Sequence, residues 1–196
     1  MVALATRSDV VARLGRALTD TESQRVDALL TDASAAVRTY TGQQFTAGTS
    51  TVTVYPERGA VRLDQRPVTD VTSVQDTDGG DVAFTWYVGD VVSLFSAGTS
   101  RLDLDQPSGT APVEIVYDHG YAAGSIPETV VGVVCSVVLR ALGRTPLDSG
   151  VTQQAIAGYS ETIGAVGAAG PLGLLQEEKN LLDRFRRAGR VLAGGW

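Results

Sequence analysis

The stretch Ser125-Ile-Pro-Glu-Thr-Val-Val-Gly-Val-Val-Cys-Ser-Val-Val-Leu-Arg-Ala-Leu142 decides the fold. Its opening has the Ser-x-x-Glu spacing of a capping box, with proline in the first turn, where a missing N–H costs little. Val130, Val131, Val133, Val134, Cys135, Val137, Val138, Leu139, Ala141 and Leu142 then fall on nearly every side of the helix they predict. A helix that is apolar all round has to be buried all round. In a chain of 196 residues that implies either a sandwiched position or contact with other subunits. Ser136 and Arg140 interrupt the run, and about sixteen residues are too few to span a bilayer.

Upstream, Thr6-Arg-Ser-Asp9 and Thr19-Asp-Thr-Glu22 have the same capping spacing. The first predicts a short helix at about 8–14, ended by Gly15. The second opens a helix of about 22 residues whose Val26, Leu29, Leu30, Ala33, Ala36, Val37 and Tyr40 recur at helical spacing, with Gly42 as its stop. From residue 43 the period changes to two. Thr51–Tyr55, Ala60–Leu63, Val68–Val74, Val82–Val88, Val91–Phe95 and Val113–Tyr117 are short β-branched or aromatic runs, giving five or six strands. Asp78-Gly-Gly-Asp81 and Gly89-Asp90 are turn signals that predict a meander of hairpins.

Downstream of the apolar helix, residues 149–173 are rich in glycine and small residues, with a short possible strand around Ala155–Ser160. A loop of this length is usually functional or ordered on binding. The final segment is amphipathic. Its leucines from Leu172 to Leu192, with Phe185, alternate with Glu177, Glu178, Lys179, Arg184, Arg186, Arg187 and Arg190, which predicts a helix with a basic second half.

Composition narrows the function. A hydrophobic fraction of 43% with 19% charge is globular. One cysteine cannot form an internal disulfide, and the opening residues lack a signal-type apolar run, so a cytoplasmic product is expected. Residues 43–126 carry eleven acids and four bases, which argues against phosphate binding by that segment.

Enzyme motifs fail one by one. His119 is the only histidine, so any nucleophile–base site has to use it, and Gly158-Tyr-Ser-Glu-Thr162 breaks the G-x-S-x-G elbow at its fifth place. Cys135, among valines, reads as core. One cysteine and one histidine make a zinc site implausible, and Asp76–Asp81 has Gly80 and Tyr87 where a calcium loop needs ligands. The lone lysine, Lys179, follows no glycine loop. No catalytic, metal or cofactor residue is assigned. Two alternatives stand beside a structural role: a DNA-binding factor using the first two helices as a helix-turn-helix, and, with less support, a small hydrolase centred on His119.

Several runs carry a resemblance. They are Leu4-Ala-Thr-Arg-Ser-Asp-Val-Val-Ala-Arg-Leu-Gly-Arg-Ala-Leu-Thr-Asp20, Arg25–Gly42, Ile126-Pro-Glu-Thr-Val-Val131, Ile156-Ala-Gly-Tyr-Ser160 and Leu175–Arg187. Together they resemble the head-to-tail connector (adaptor) proteins of tailed bacteriophages, actinobacteriophages most closely. The resemblance covers both ends of the chain, and the acidic segment from 43 matches only as an insertion between helices two and three. It implies a non-enzymatic subunit of the virion neck, assembled in the host cytoplasm. Such a subunit forms a ring, expected to be dodecameric, under the portal protein. The ring joins the portal to the next neck or head-completion protein and extends the channel for DNA, without sequence-specific binding and without a membrane.

The expectation is therefore an α+β chain. A helical core is built from 1–42 and 127–196, with a β-rich insertion at 43–126. Arg184, Phe185, Arg186, Arg187, Arg190 and Trp196 are the expected portal-docking residues. Val130, Val134, Val138, Ile156 and Tyr159 are the expected inter-subunit contacts. Negative charge on the insertion suits a channel wall past which DNA slides, and equally suits a solvated face that discourages edge pairing.

Overall fold

The computed structural model describes residues 2–57, 59–95, 111–143, 154–156, 159–161 and 172–186. The chain divides into two compact units, one built from residues up to Thr41 together with Ile126–Arg186, the other containing Gly42–Ser125. The α+β class read from the sequence holds.

In the helical unit, α1 (Arg7–Leu14) and α2 (Asp20–Thr41) start where their capping boxes place them. The Asp9 amide donates to Thr6 Oγ1 at 3.2 Å while the Thr6 amide donates to the Asp9 carboxylate at 2.7 Å. Thr19 and Glu22 repeat the exchange at 3.3 and 2.8 Å. The N-terminal chain is tied to α2 by Leu4 N–H donating to Ser34 Oγ and by Arg38 donating to the Val2 carbonyl.

The decisive helix, α3 (Glu128–Leu142), begins later than its apparent capping box. Ser125 makes no cap. Pro127 takes the N-cap place without a side-chain bond, and its carbonyl accepts from the amides of Val130 and Val131 at 2.8 and 3.2 Å. α3 packs against α2, α1 and α4 (Gln176–Leu182). Val130, Val134 and Val138 are each 0% exposed. For these three valines, expected as subunit contacts, the sandwiched position that an all-round apolar helix requires is supplied by the chain's own helices.

α4 is also shorter than expected. It tightens into a 3-10 turn at Asp183–Phe185 and the backbone is extended by Arg186, a common way for a helix to end. The glycine-rich stretch contains a hairpin of β7 (Gln154–Ile156) and β8 (Tyr159–Glu161), paired antiparallel with Ile156 opposite Tyr159.

The β unit holds two three-stranded antiparallel sheets. β1 (Gly48–Val54), β6 (Val113–His119) and β3 (Val68–Gln75) form one in the order β1-β6-β3. β2 (Ala60–Arg62), β5 (Val91–Phe95) and β4 (Ala83–Thr85) form the other in the order β2-β5-β4. This is not the meander the turns suggested. Gly89-Asp90 does join paired neighbours, β4 and β5, and the Asp78–Asp81 turn folds Val82 back onto Val74. The chain then crosses into the second sheet, and β6 inserts between β1 and β3. One apolar cluster draws on both sheets: Val61, Leu63, Val68, Val71, Val74, Val92, Val113, Ile115 and Tyr117.

Register explains the pattern along each strand. β6 alternates strictly, with Val113, Ile115, Tyr117 and His119 buried. β3 instead buries Val68, Val71 and Val74, every third residue. Two register shifts against β6, between Val68 and Asp70 and between Val71 and Ser73, each insert an extra residue and turn the next valine inward. At the far end Gly120, with φ of +92°, passes so close to Thr46 that a Cβ would lie 2.2 Å from its carbonyl oxygen.

Candidate docking face

Of the expected docking residues, Arg184, Phe185 and Arg186 are described and directly follow α4, and what holds α4 in place is a buried ion pair. Arg140, the one cation of the apolar helix, donates to both carboxylate oxygens of Glu178 at 2.7 and 3.1 Å and to the Gly173 carbonyl at 2.8 Å. The same carboxylate accepts from the Leu175 amide at 2.8 Å, serving the N-terminus of α4, where a leucine N-cap has no acceptor of its own. Both side chains are largely shielded, with 17% and 9% exposure. Leu182, fully buried, completes the anchor.

Beyond this anchor the chain arranges cations around aromatic rings. The Tyr40 hydroxyl donates to Asp183 at 2.6 Å, which pushes the phenol pKa upward. Arg186 stands over the Tyr40 ring at 5.1 Å, and Lys179 at 6.0 Å, both within cation–π range. Arg186 also pairs with Asp183 at 3.7 Å. Arg184 lies over the Phe185 ring at 4.6 Å and donates to Thr129 Oγ1 at 2.7 Å. Leu181 is exposed beside them. Tyr40 from α2, Thr129 from α3 and the turn after α4 thus share one cluster of cations and aromatic rings.

Its charge is more balanced than the sequence suggested. Residues 172–186 hold Lys179, Arg184 and Arg186 against Glu177, Glu178 and Asp183. The excess positive charge of the C-terminal segment resides in Arg187 and Arg190, which with Trp196 lie outside the described residues. For Ile156 and Tyr159 the backbone is described as facing strand positions; their side chains are outside the description. Tyr40, Thr129 and Glu178 are residues that sequence reasoning missed. Their partners are distant in sequence. The one available signal was Arg140 itself, since a cation in an apolar helix has to find a carboxylate.

The alternative sites are also placed. His119 Nε2 is 2.8 Å from Ser50 Oγ, on the core side of the β1–β6 pair, and the ring is 5% exposed. Burial lowers its pKa, with Asp118 opposing, but the Asp118 carboxylate accepts from the Thr49 hydroxyl. Among the described residues no carboxylate orients the imidazole, and the pair reads as a sheet-end contact. Cys135 is fully buried, its thiol pKa raised by desolvation. Asp76 spends its Oδ1 on the amides of Asp78 and Gly80, at 2.9 and 2.7 Å, closing the turn. Among the described residues no cluster of His, Cys, Asp or Glu could hold a metal ion. Two arginines on the candidate helix-turn-helix are engaged by acids: Arg7 with Asp27 at 2.7 Å and Arg16 with Glu22 at 2.8 Å.

The fold has a counterpart among solved structures. It is similar along 99% of its length to a chain in the neck of an empty GTA particle computed with C6 symmetry, covering 96% of that chain with a TM-score of 0.51 and 19% sequence identity. At that identity the likeness speaks for a shared fold. No protein-family model and no curated protein matches the sequence.

Proposed function

We propose that this chain is a structural, non-enzymatic subunit of the neck of a tailed-phage-like particle. It forms a ring under the portal, joins the DNA-filled head to the tail side and extends the DNA channel. The observation that carries the reading is the end-to-end fold likeness to a neck chain, both helical and β parts included. A dodecameric ring fits the C6 symmetry of that particle, because a twelve-fold ring contains a six-fold axis. The partners are further copies of the chain, the portal protein, and the next neck or head-completion protein.

In this reading the surface of Arg184, Phe185 and Arg186, continued by Arg187, Arg190 and Trp196, docks on an acidic part of the portal. Cation–π contacts with Tyr40 and Phe185 hold the guanidinium groups and shorten the conformational search on docking. The test is the copy number of this chain relative to portal protein in purified particles, with tail-less filled heads alongside. About one copy per portal subunit in both preparations is expected for a ring that matches its partner. Absence from particles overturns the proposal. Alanine replacement of Arg184, Arg186 and Arg187 is expected to weaken portal attachment, and unchanged attachment removes the docking role.

A further inference from the structure

The two edges of the β1-β6-β3 sheet are built differently. β3 is a protected edge: two bulges break its regularity, Asp70 sits between them, and the Asp78–Asp81 turn folds Val82 over its end. Bulges, charge and a covering segment are the devices by which proteins stop an edge from recruiting another strand. Among the described residues β1 has none of them. Gly48-Thr-Ser-Thr-Val-Thr-Val54 pairs with β6 over all seven residues without a register shift, and it contains no charge and no proline. Thr49, Thr51 and Thr53 are exposed, and among the described residues no strand pairs with its outer side. In an antiparallel pair every second residue of an edge strand turns both N–H and C=O outward. β1 is therefore a regular, uncharged, open template.

The chain also contains a strand pair short of partners. β7 and β8 have three residues each and form a two-stranded sheet of their own. An isolated hairpin is marginally stable in water, and a third strand is what stabilises it. Ten residues separate it from the described part of the chain on either side, 144–153 and 162–171. Each connection of ten residues spans at most about 33–36 Å when extended.

We propose that the β7–β8 hairpin of one copy adds to the open edge of β1 in a neighbouring copy. The inference rests on the ring reading above in one respect: pairing β1 with β1 makes a self-complementary contact that closes at two copies, whereas β7–β8 on β1 is head-to-tail and closes into a ring. Main-chain hydrogen bonds supply the contact, so it asks little of side-chain identity.

The test uses full-length chains of two kinds, one carrying Thr51→Cys and the other Ser160→Cys, incorporated together into particles and oxidised. Thr49→Cys, Thr53→Cys and Ala155→Cys cover neighbouring registers. Cys135, fully buried, is left in place. Paired strands bring Cα atoms to about 4.5–5.5 Å, within disulfide range. A disulfide between the two kinds of chain is the expected result. Cross-linking of the β1-cysteine chain only to itself overturns the assignment of the hairpin. A chain present in particles without either cross-link overturns strand addition and leaves the neck reading standing. A chain absent from particles overturns the neck reading, and the same cysteine pairs in concentrated purified chain then decide strand addition separately. Amide exchange of the unsubstituted chain is an independent readout. Outward β1 amides should slow by about tenfold or more on assembly, and unchanged exchange overturns the proposal.

Discussion

Removing the Glu178 carboxylate is the sharpest test of how the docking surface is held. In Glu178→Ala, Arg140 keeps the Gly173 carbonyl but loses two charge-assisted hydrogen bonds, and the Leu175 amide loses its acceptor. Breaking a buried pair by deleting one partner costs about 3–5 kcal/mol. The 17% exposure of Arg140 lets water reach part of the guanidinium, which places the expected loss at the low end, about 3 kcal/mol. The loss should be local first: amides of α4 exchange faster while those of α3 stay protected, because α3 is held by α1 and α2 as well. Glu178→Gln keeps an acceptor for Leu175 and should lose about half as much. Replacing both partners, Arg140→Met with Glu178→Leu, should recover most of the stability, since the desolvation cost disappears with the charges. The assay is urea unfolding, with the wild-type chain, Arg140→Met alone, Glu178→Leu alone and the double variant forming a double-mutant cycle. A coupling energy below about 0.5 kcal/mol, the value of a solvated surface pair, refutes the claim that this pair fixes α4.

Further outcomes follow from the same structure. His119, as the only histidine, gives one imidazole titration by NMR, with a midpoint below the ordinary 6.5; because the folded pKa is depressed, the neutral ring's contribution is complete above pH 6.5 and declines as pH falls through 6.5 toward the folded value, and a midpoint above 6.5 contradicts the buried setting. Glu22, held at about 2 chiefly by Arg16, should stay ionised well below the ordinary carboxylate range; its contribution to α2 is present above about pH 4.5 and lost as pH falls through 2, as a carboxyl 13C titration will show. Gly120→Ala places a methyl against the Thr46 carbonyl at positive φ and should cost about 3 kcal/mol or more in denaturant unfolding. Val134→Ala should cost about 2 kcal/mol, and by an amount independent of protein concentration, since its neighbours belong to the same chain.

The helices were legible because their signals are local. Thr6-x-x-Asp9 and Thr19-x-x-Glu22 satisfy their own amides within one turn, so nothing distant can overrule them. The start of α3 was misplaced for the converse reason: Ser125 has the right spacing, but the chain turns at Ala122–Ser125, where the Ser125 amide donates to the Ala122 carbonyl, and the helix begins only beyond Pro127. β3 is instructive. Val68, Val71 and Val74 have a spacing of three, foreign to a flat strand, and only the partner β6 shows that two bulges restore one buried face. Order within the sheets was illegible because turns report which segments reverse, whereas the insertion of β6 between β1 and β3 is set by pairings between segments far apart in the chain, such as Val68 with His119 and Gly48 with His119. The docking surface was half legible. Its cations and Phe185 could be read from the sequence, but the Tyr40 ring beneath Arg186 belongs to α2, far away in the chain.

The burial of α3 changes where an assembly of this chain can make its contacts. An apolar helix in a small protein invites the inference that neighbouring subunits cover it, yet α1, α2 and α4 already do so. Among the described residues little apolar surface of α3 is left to drive association. On the ring reading proposed above, the copies are held by features that are inert in the free chain: main-chain groups on an edge unpaired among the described residues, and cations set on aromatic rings. Such contacts gain from geometry and multiplicity rather than from apolar area, so each is weak alone and strong when a template presents many at once. On that reading the core is covered by the chain's own elements, while one strand edge stays unpaired among the described residues. It also separates the two kinds of damage a substitution can do. On the proposed reading, changes in α3 are expected to unfold the subunit, whereas changes on β1 or at Arg184 and Arg186 are expected to leave it folded and unable to join its neighbours.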